Sequence, residues 1–181
     1  MASTAERRRF AGVVVAVVAL DLVTKFVAEA LLPRWRSVPV LGDFLQLQLV
    51  YNPGAAFGLH VGAYSRWFFL ALTVGALAVL AVMARQTRAG DRLRYYAIAF
   101  VMAGATGNLI DRVRSARGVV DYLLFTIGPV RWPNFNVADM AVSCGAIALA
   151  LALWREGRPH GAAAPAEAPA PPEATAPPGR G

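Results

Sequence analysis

Five polar side chains lie close together in a stretch that has a long apolar run on each side. They are Asn108, Asp111, Asp121, Asn136 and Asp139. Two carboxyl groups held together in a medium of low dielectric constant share one proton more readily than they both ionise. The ionised group can take a proton from water while the protonated group donates a hydrogen bond to a scissile carbonyl. The pattern therefore predicts hydrolysis by a pair of acids.

Further polar residues lie at the ends of the apolar runs. Asp21 and Lys25 lie in the last third of the first run, Asn52 follows a short alternating segment, and Arg112 comes directly after Asp111. A charged residue inside a membrane segment is costly unless it is paired or faces protein or water, and it often marks a functional site. If successive helices alternate in direction, all these positions fall at one depth. We therefore expect a single polar site at one end of the helices.

The composition is that of a membrane protein. Of the 181 residues, 57% are hydrophobic and only 16% are charged, whereas soluble domains carry about 25% charged residues. We predict an all-α membrane protein with four transmembrane helices and a small β element on the periplasmic side. The predicted spans are residues 10–32, 64–85, 95–110 and 139–154. The third is short and could extend into the Asp111 region if protein shields that region.

The remaining segments are assigned from their pattern and composition. Residues 45–49 alternate between leucine and glutamine, the period of a strand, so we expect a small sheet at the membrane surface. Residues 111–138 are expected to form a polar connection containing glycine and proline. We divide the chain into a four-helix membrane domain at 1–158 and a disordered cytoplasmic tail at 159–181. That tail is rich in alanine and proline and lacks the residues of a packed core.

The placement of arginines predicts the orientation. Arginines cluster at 7–9, 85–94 and 155–158, and the positive-inside rule places such clusters in the cytoplasm. Both termini are then cytoplasmic, and the polar site lies near the outer face. Four arginines oppose the rule, and the first of them is expected to pair with the adjacent Asp111. They are Arg112, Arg114, Arg117 and Arg131.

Five ordered motifs resemble those of lipoprotein signal peptidase, also called signal peptidase II. They are DLVTK at 21–25, NPGAAFG at 52–58, GNLIDR at 107–112, GVVDY at 118–122 and FNVAD at 135–139. Each motif is weak alone, but five in this order within a four-span chain are highly specific. The resemblance implies an aspartic-type endopeptidase of the bacterial inner membrane. Such an enzyme cleaves the signal peptide from a prolipoprotein directly before a diacylglyceryl-modified cysteine.

The resemblance also implies roles for individual residues. The catalytic pair would be Asp121 and Asp139. The substrate-binding or supporting residues would be Asp21, Lys25, Asn52, Asn108, Asp111, Arg112 and Asn136. The implied partners are diacylglyceryl-modified prolipoproteins, membrane lipid and globomycin-type inhibitors, with no cofactor and no metal.

Some of these residues also have purely structural explanations. Asp139 could cap the fourth helix, and Asp111 with Arg112 could be an ion pair that fixes a loop. Asp21 and Lys25 have the i, i+4 spacing of an intrahelical pair.

The asparagines have alternative roles too. Asn52 begins an Asn-Pro-Gly turn sequence, or it could hold the backbone of a substrate. Asn108 and Asn136 could satisfy helix ends, or they could position the substrate or a loop.

Other functions fit the sequence less well than hydrolysis does. A proton-coupled transporter would spread polar groups through the whole membrane depth, yet residues 68–84 are almost wholly apolar. A scaffold whose acids only cap helices would tolerate Asp-to-Asn changes. Nucleic-acid binding is disfavoured because the arginines flank apolar runs. His60 and His160 lack partners at metal-ligand spacing, and Cys144, the one cysteine, is expected to pack as a small hydrophobe.

Overall fold

The chain forms four long helices and a small sheet in residues 3–34, 36–54 and 61–156, the part that a computed structural model describes. The helices are α1 (Thr4–Leu31), α2 (Ser65–Gln86), α3 (Arg92–Arg114) and α4 (Val137–Glu156), and the strands are β1 (Val38–Leu41), β2 (Leu45–Asn52), β3 (Val119–Ile127) and β4 (Val130–Arg131). A short 3-10 helix, Gly62–Tyr64, precedes α2. The predicted tail at 159–181, both histidines and residues 55–58 of the second motif lie outside the described residues.

Within the described residues, three helical stretches are long and apolar enough to cross a membrane. They are Thr4–Leu31, Gly62–Gln86 and Val137–Glu156. Large apolar side chains on these helices face outward, such as Val15 at 66% exposure and Leu72 at 57%. Such faces suit contact with lipid, which is as apolar as leucine itself. A mostly helical membrane protein with a small sheet is thus confirmed, with three candidate spans.

Helix α3 is the element against which the other three helices pack. It runs from Arg92 to Arg114 and so extends the predicted segment 95–110 at both ends. The extension past residue 110 carries Asp111, which is fully buried and neutralised by cations from α1 and α3 itself. The third helix was expected to extend into the Asp111 region only if protein shields that region, and the buried Asp111 meets this condition.

A face of small residues lets α3 approach α4 closely. Ala103, Gly104 and Gly107 are buried on it, and small side chains let helices pack closely. A Cβ on Gly104 would meet the Ala138 carbonyl oxygen and would lie 2.7 Å from Val142 Cγ2. The backbones of the two helices are therefore in contact where α4 begins.

The helices alternate in direction, as the convergence of polar groups requires. At one end the rings of Phe10 and Tyr95 lie 4.7 Å apart, and Arg94 pairs with Glu156 at 3.1 Å. At the opposite end Lys25 pairs with Asp111 at 2.8 Å. The start of α1 therefore lies beside the start of α3 and the end of α4.

The sheet is antiparallel, with the strand order β1-β2-β3-β4. The prediction of a strand at residues 45–49 is confirmed, and β2 continues to Asn52. The prediction that residues 111–138 form only a polar connection is wrong, because β3 occupies its middle. This strand is buried over most of its length, and burial on both faces removes the two-residue alternation by which an exposed strand is recognised.

Gly118 joins α3 to β3 and has a positive φ, a backbone conformation that favours glycine. Its φ is +102°, and a Cβ there would collide with the Asn52 carbonyl oxygen. Any other residue would be strained in this conformation. The close approach sets β3 against the end of β2, with Val119 opposite Asn52 and Asp121 opposite Val50.

Candidate active site

Asp121 lies on β3 and is held by amide groups from two other elements. Its Oδ1 accepts a hydrogen bond from Asn136 Nδ2 at 2.7 Å, and its Oδ2 accepts one from Asn52 Nδ2 at 3.2 Å. The residue is only 2% exposed. Both oxygens are thus fixed in direction in a buried setting.

Asp139 lies in the first turn of α4 and takes part in a reciprocal cap. Its Oδ2 accepts a hydrogen bond from the Asn136 backbone N–H, and its own N–H donates to Asn136 Oδ1. This is the arrangement of a capping box with Asn136 as the N-cap. The N-cap is therefore Asn136, which satisfies the helix end, and not Asp139, which completes the cap from the third helical position. Asp139 Oδ1 accepts a hydrogen bond from Asn108 Nδ2 at 2.8 Å.

Asn136 and Asn108 connect the two acids. The side chain of Asn136 is fully buried, and its Nδ2 also lies 3.2 Å from Asn108 Oδ1 and 3.1 Å from the Val120 carbonyl oxygen. Asn108 donates to Asp139 in turn. One pair of carboxamides therefore determines how Asp121 and Asp139 are oriented.

Lys25 lies behind this arrangement as a buried cation. Its Nζ lies 2.8 Å from Asp21 Oδ2, 2.8 Å from Asp111 Oδ2 and 2.9 Å from Asn108 Oδ1. The ammonium group therefore forms ion pairs with two carboxylates and donates a hydrogen bond to Asn108. The predicted Asp21–Lys25 pair is confirmed, although it is buried and not exposed.

Asp21 and Asp111 each hold a backbone amide as well as the lysine. Asp21 Oδ1 accepts the Ala138 N–H at 2.9 Å, at the start of α4. Asp111 Oδ2 accepts the Val120 N–H at 3.2 Å, directly before Asp121. These two acids therefore fix the segments that carry Asp139 and Asp121.

The predicted ion pair between Asp111 and Arg112 is wrong. Asp111 pairs with Lys25 and with Arg114, whose Nε lies 2.8 Å from Asp111 Oδ1. Adjacent residues on a helix project in different directions, whereas residues three apart share a face. Arg112 instead donates to the Gly54 carbonyl oxygen at 2.8 Å and so holds the turn that follows Asn52.

Asn52 adopts the turn that its sequence predicted. Its Oδ1 accepts the Gly54 N–H at 3.0 Å, which is an Asx turn. Its Nδ2 donates to Asp121. A role for Asn52 in holding substrate backbone stays a prediction.

The two acids line one cavity of about 570 Å³. Asn52, Asn108 and Arg112 share its polar end with Asp121 and Asp139, whereas the rest of the wall is largely apolar. The apolar lining includes Phe44, Phe125, Ile127, Val130, Trp132, Phe135, Met140 and Val142.

Cys144 is exposed and lies on the wall of this cavity, so the expectation that it packs inside the protein is wrong. On α4 it lies toward the cavity and not toward α3.

The surroundings of Asp121 favour its protonated form. Burial, and after it the nearby Asp139 carboxylate, raise the pKa of Asp121 to about 7. The amides of Asn52 and Asn136 act in the opposite direction. The pair therefore holds a proton near neutral pH, which is what chemistry by one acid and one base requires.

Residues 3–34, 36–54 and 61–156 contain no cluster typical of a metal site. No group of three or more histidine, cysteine, aspartate or glutamate side chains there is arranged to hold a metal ion.

Four residues to which the sequence analysis assigned no role in the site lie beside it. They are Glu29, Tyr51, Arg114 and Arg117, which contact one another where α1, β2, α3 and β3 meet. One sequence signal was available, since Asp21, Lys25 and Glu29 repeat at intervals of four on α1 and so share one helix face.

A family model and similar proteins of known name all point to the same family. Residues 13–155 match the family model described as signal peptidase (SPase) II. The chain is 40% identical over 151 residues to a lipoprotein signal peptidase of Nitratidesulfovibrio vulgaris (strain DP4), an alignment that covers 82% of this chain and 90% of that protein. A lipoprotein signal peptidase of Cupriavidus necator is 43% identical over 148 residues, covering 80% of this chain and 82% of that protein.

Solved structures agree with this in their fold. A bacterial membrane enzyme determined by the in meso method at 2.3 Å resolution superposes with a TM-score of 0.75 at 31% identity, covering 82% of this chain and 88% of that one. A second such structure, at 1.9 Å resolution, gives a TM-score of 0.73 at 31% identity and covers 82% and 94%.

Proposed function

Because the chain belongs to the signal peptidase II family, we propose that Asp121 and Asp139 are its catalytic pair. The reaction is aspartic-type endopeptidase cleavage, which removes the signal peptide from a prolipoprotein. One observation carries the assignment. The two carboxyl groups line the same cavity, and a single residue, Asn136, holds both of them.

The other two buried acids are unsuited to this chemistry. Asp21 and Asp111 each lie 2.8 Å from Lys25 Nζ and each accept a backbone N–H. Their oxygens are therefore already engaged by the lysine and by the backbone, and neither carboxylate is placed to activate a water molecule in the cavity. Neither residue lines the cavity that Asp121 and Asp139 share.

The reaction follows from a pair that holds one proton. The ionised carboxylate removes a proton from a water molecule, and the resulting hydroxide attacks the carbonyl carbon of the scissile bond. The protonated carboxyl group gives its proton to the carbonyl oxygen, which forms a neutral tetrahedral intermediate. As the C–N bond breaks, one carboxyl group gives its proton to the leaving nitrogen and the other carboxylate takes a proton from a hydroxyl of the intermediate, which restores the pair with one proton. The products are a free carboxyl end on the signal peptide and a free amine on the cysteine.

The cavity suits an apolar, lipid-bearing substrate. Its volume of about 570 Å³ lies within the usual range for ligand sites, about 300–1,000 Å³. The polar end would hold the scissile peptide, and the aromatic wall would contact the apolar chain beside it. We infer cleavage directly before a diacylglyceryl-modified cysteine, with globomycin-type inhibitors competing for the same cavity.

We infer that α3 is the fourth membrane span. Its 23 residues extend about 35 Å at 1.5 Å per residue, which exceeds a bilayer core of about 30 Å. Its charged residues lie near its two ends, and none falls between residues 95 and 110. In the inferred orientation the bacterial inner membrane holds the chain with both termini in the cytoplasm. The cavity then lies near the outer face.

The experiment that tests this function compares two substrates that differ only in lipid. The purified chain is incubated in lipid nanodiscs with a diacylglyceryl-modified preprotein and with the same preprotein lacking the lipid. We expect cleavage before the modified cysteine, detected by mass spectrometry, and poor cleavage of the unmodified form, because two acyl chains hold the peptide at the membrane. Equal turnover of both substrates would contradict the role of the lipid.

A further inference from the structure

A charged cluster beside the site lies outside the residues to which the motifs assign a role. We propose that this cluster positions Asp121 for catalysis. It consists of Glu29, Tyr51, Arg114 and Arg117 and is called the outer clamp below. Its role rests on the catalytic pair proposed above.

The outer clamp is built around the carboxylate of Glu29. Glu29 Oε1 accepts a hydrogen bond from the Tyr51 hydroxyl at 2.9 Å, and Glu29 Oε2 lies 2.9 Å from Arg114 Nη2. Arg117 lies 3.7 Å from Glu29 Oε1 and stacks over the ring of Tyr51, with 3.9 Å between its Cζ and the ring centroid. Each cation therefore contacts the glutamate, and one of them also contacts the tyrosine.

Each member of the clamp comes from a different part of the fold. Glu29 lies on α1, Tyr51 on β2 and Arg114 at the end of α3, and Arg117 lies directly before Gly118 and β3. These are the elements that supply every polar residue of the site except those at the start of α4. The clamp therefore ties together the parts whose relative positions decide where Asp121 lies.

Two short paths lead from the clamp to Asp121. Arg114 Nε contacts Asp111, which accepts the Val120 N–H next to Asp121. Tyr51 is paired with Val120 across the sheet and precedes Asn52, whose amide donates to Asp121 Oδ2. Displacing the clamp would therefore move both the backbone of Asp121 and one of its hydrogen-bond donors.

The sheet is irregular next to Asp121. The pairing of β2 with β3 is interrupted between Leu47 and Val50, and Val50 is the residue opposite Asp121. An irregular pair leaves ladder hydrogen bonds unmade at that point. Contacts from outside the sheet, such as those of the clamp, therefore add to what holds the register of Asp121.

The test is a kinetic comparison of two Glu-to-Gln variants of the full chain. Glu29→Gln should lower kcat about tenfold, since a displacement near 1 Å can cost about 10²-fold. KM should stay within about twofold of wild type, because no clamp residue lines the cavity. Glu156→Gln is the matched control. It also removes a glutamate–arginine contact between elements, Glu156 with Arg94 at 3.1 Å, but at the opposite end of the helices, and kcat should be unchanged.

A gentler substitution and a double-mutant cycle separate positioning from loss of stability. Tyr51→Phe removes only the hydroxyl and should also lower kcat. Glu29→Gln combined with Arg117→Gln should cost less than the sum of the single effects, since both break one contact. Assays are run well below the unfolding temperature of each variant.

The outcomes distinguish the clamp from the catalytic pair. Unchanged kcat in both Glu29→Gln and Tyr51→Phe would overturn the clamp. So would an equal loss of kcat in Glu156→Gln. If Asp121→Asn cleaves as wild type does, the catalytic pair itself is wrong, whatever the clamp variants do.

Discussion

At the scale of single residues, the site depends on carboxyl groups placed in different surroundings. Asp21 and Asp111 form ion pairs with Lys25, whereas Asp121 accepts hydrogen bonds from the amides of Asn52 and Asn136. Acids of one residue type thereby take different roles. Those paired with the lysine fix backbone, and Asp121 with Asp139 remains for proton transfer.

A pH profile tests the protonation of the pair. The pKa of Asp121 is raised to about 7, so its proton is kept below that pH and lost above it. Activity needs one proton on the pair, and kcat should therefore fall as the pH rises through about 7, approaching about tenfold per pH unit. Steady-state cleavage between pH 5 and 9 measures this. A profile that stays flat up to pH 9 would contradict a proton held by Asp121.

The residue types and the family motifs indicated most of the side chains of the site, but not which of them contact one another. The resemblance named Asp121 and Asp139, and the i, i+4 spacing gave the Asp21–Lys25 contact. The predicted partner of Asp111, Arg112, was wrong because the lysine that pairs with Asp111 lies on another helix. Such a contact depends on tertiary packing, which spacing along one helix does not encode.

At the scale of elements, apolar length predicted the helices and alternation predicted β2. Strand β3 was missed, although it carries Asp121, because its sequence is apolar on both faces and it lies between charged and proline-containing segments. The C-terminal end of α3 was also hard to predict from composition. The charged residues after position 110 suggest a loop, but the helix continues because Asp111 is buried and paired with cations.

A glycine substitution tests the close contact of α3 with α4. A Cβ on Gly104 would meet the Ala138 carbonyl oxygen, directly before Asp139. Gly104→Ala should therefore push the start of α4 away, cost about 1–3 kcal/mol of stability and lower cleavage. Thermal unfolding in detergent and an activity assay check both effects.

The matched control is another helical glycine. A Cβ on Gly75 of α2 would have nothing within 4 Å, so Gly75→Ala should leave stability and cleavage near wild type or slightly raise stability. Equal effects of the two substitutions would mean that the α3–α4 contact is not tight.

At the scale of the whole molecule, four antiparallel helices bring their polar residues to one end. Three of the arginines that oppose the positive-inside rule have local explanations there. Arg112 holds the Gly54 carbonyl, Arg114 pairs with Asp111 and Glu29, and Arg117 contacts Glu29. Paired arginines are structural parts of the site and need not determine topology.

Cysteine labelling tests whether α3 crosses the membrane. Arg88 and Ala116 are exposed on either side of α3, and each is replaced by cysteine in a Cys144→Ser background. A membrane-impermeant maleimide applied to spheroplasts should label the cysteine at position 116 but not the one at position 88. Labelling of both sites, or of neither until the cells are lysed, would contradict a fourth span.

Cleavage of a diacylglyceryl-modified preprotein by two acid variants tests the catalytic pair most directly. Asp121→Asn and Asp139→Asn keep the shape of each side chain but remove proton transfer, and each should lower kcat about 10³-fold or more. Asp43→Asn, the same change in the exposed turn between β1 and β2, serves as the control and should cleave as wild type does. All three should insert and unfold much as wild type does. Normal processing by either pair variant, folded and in the membrane, would contradict catalysis by Asp121 and Asp139.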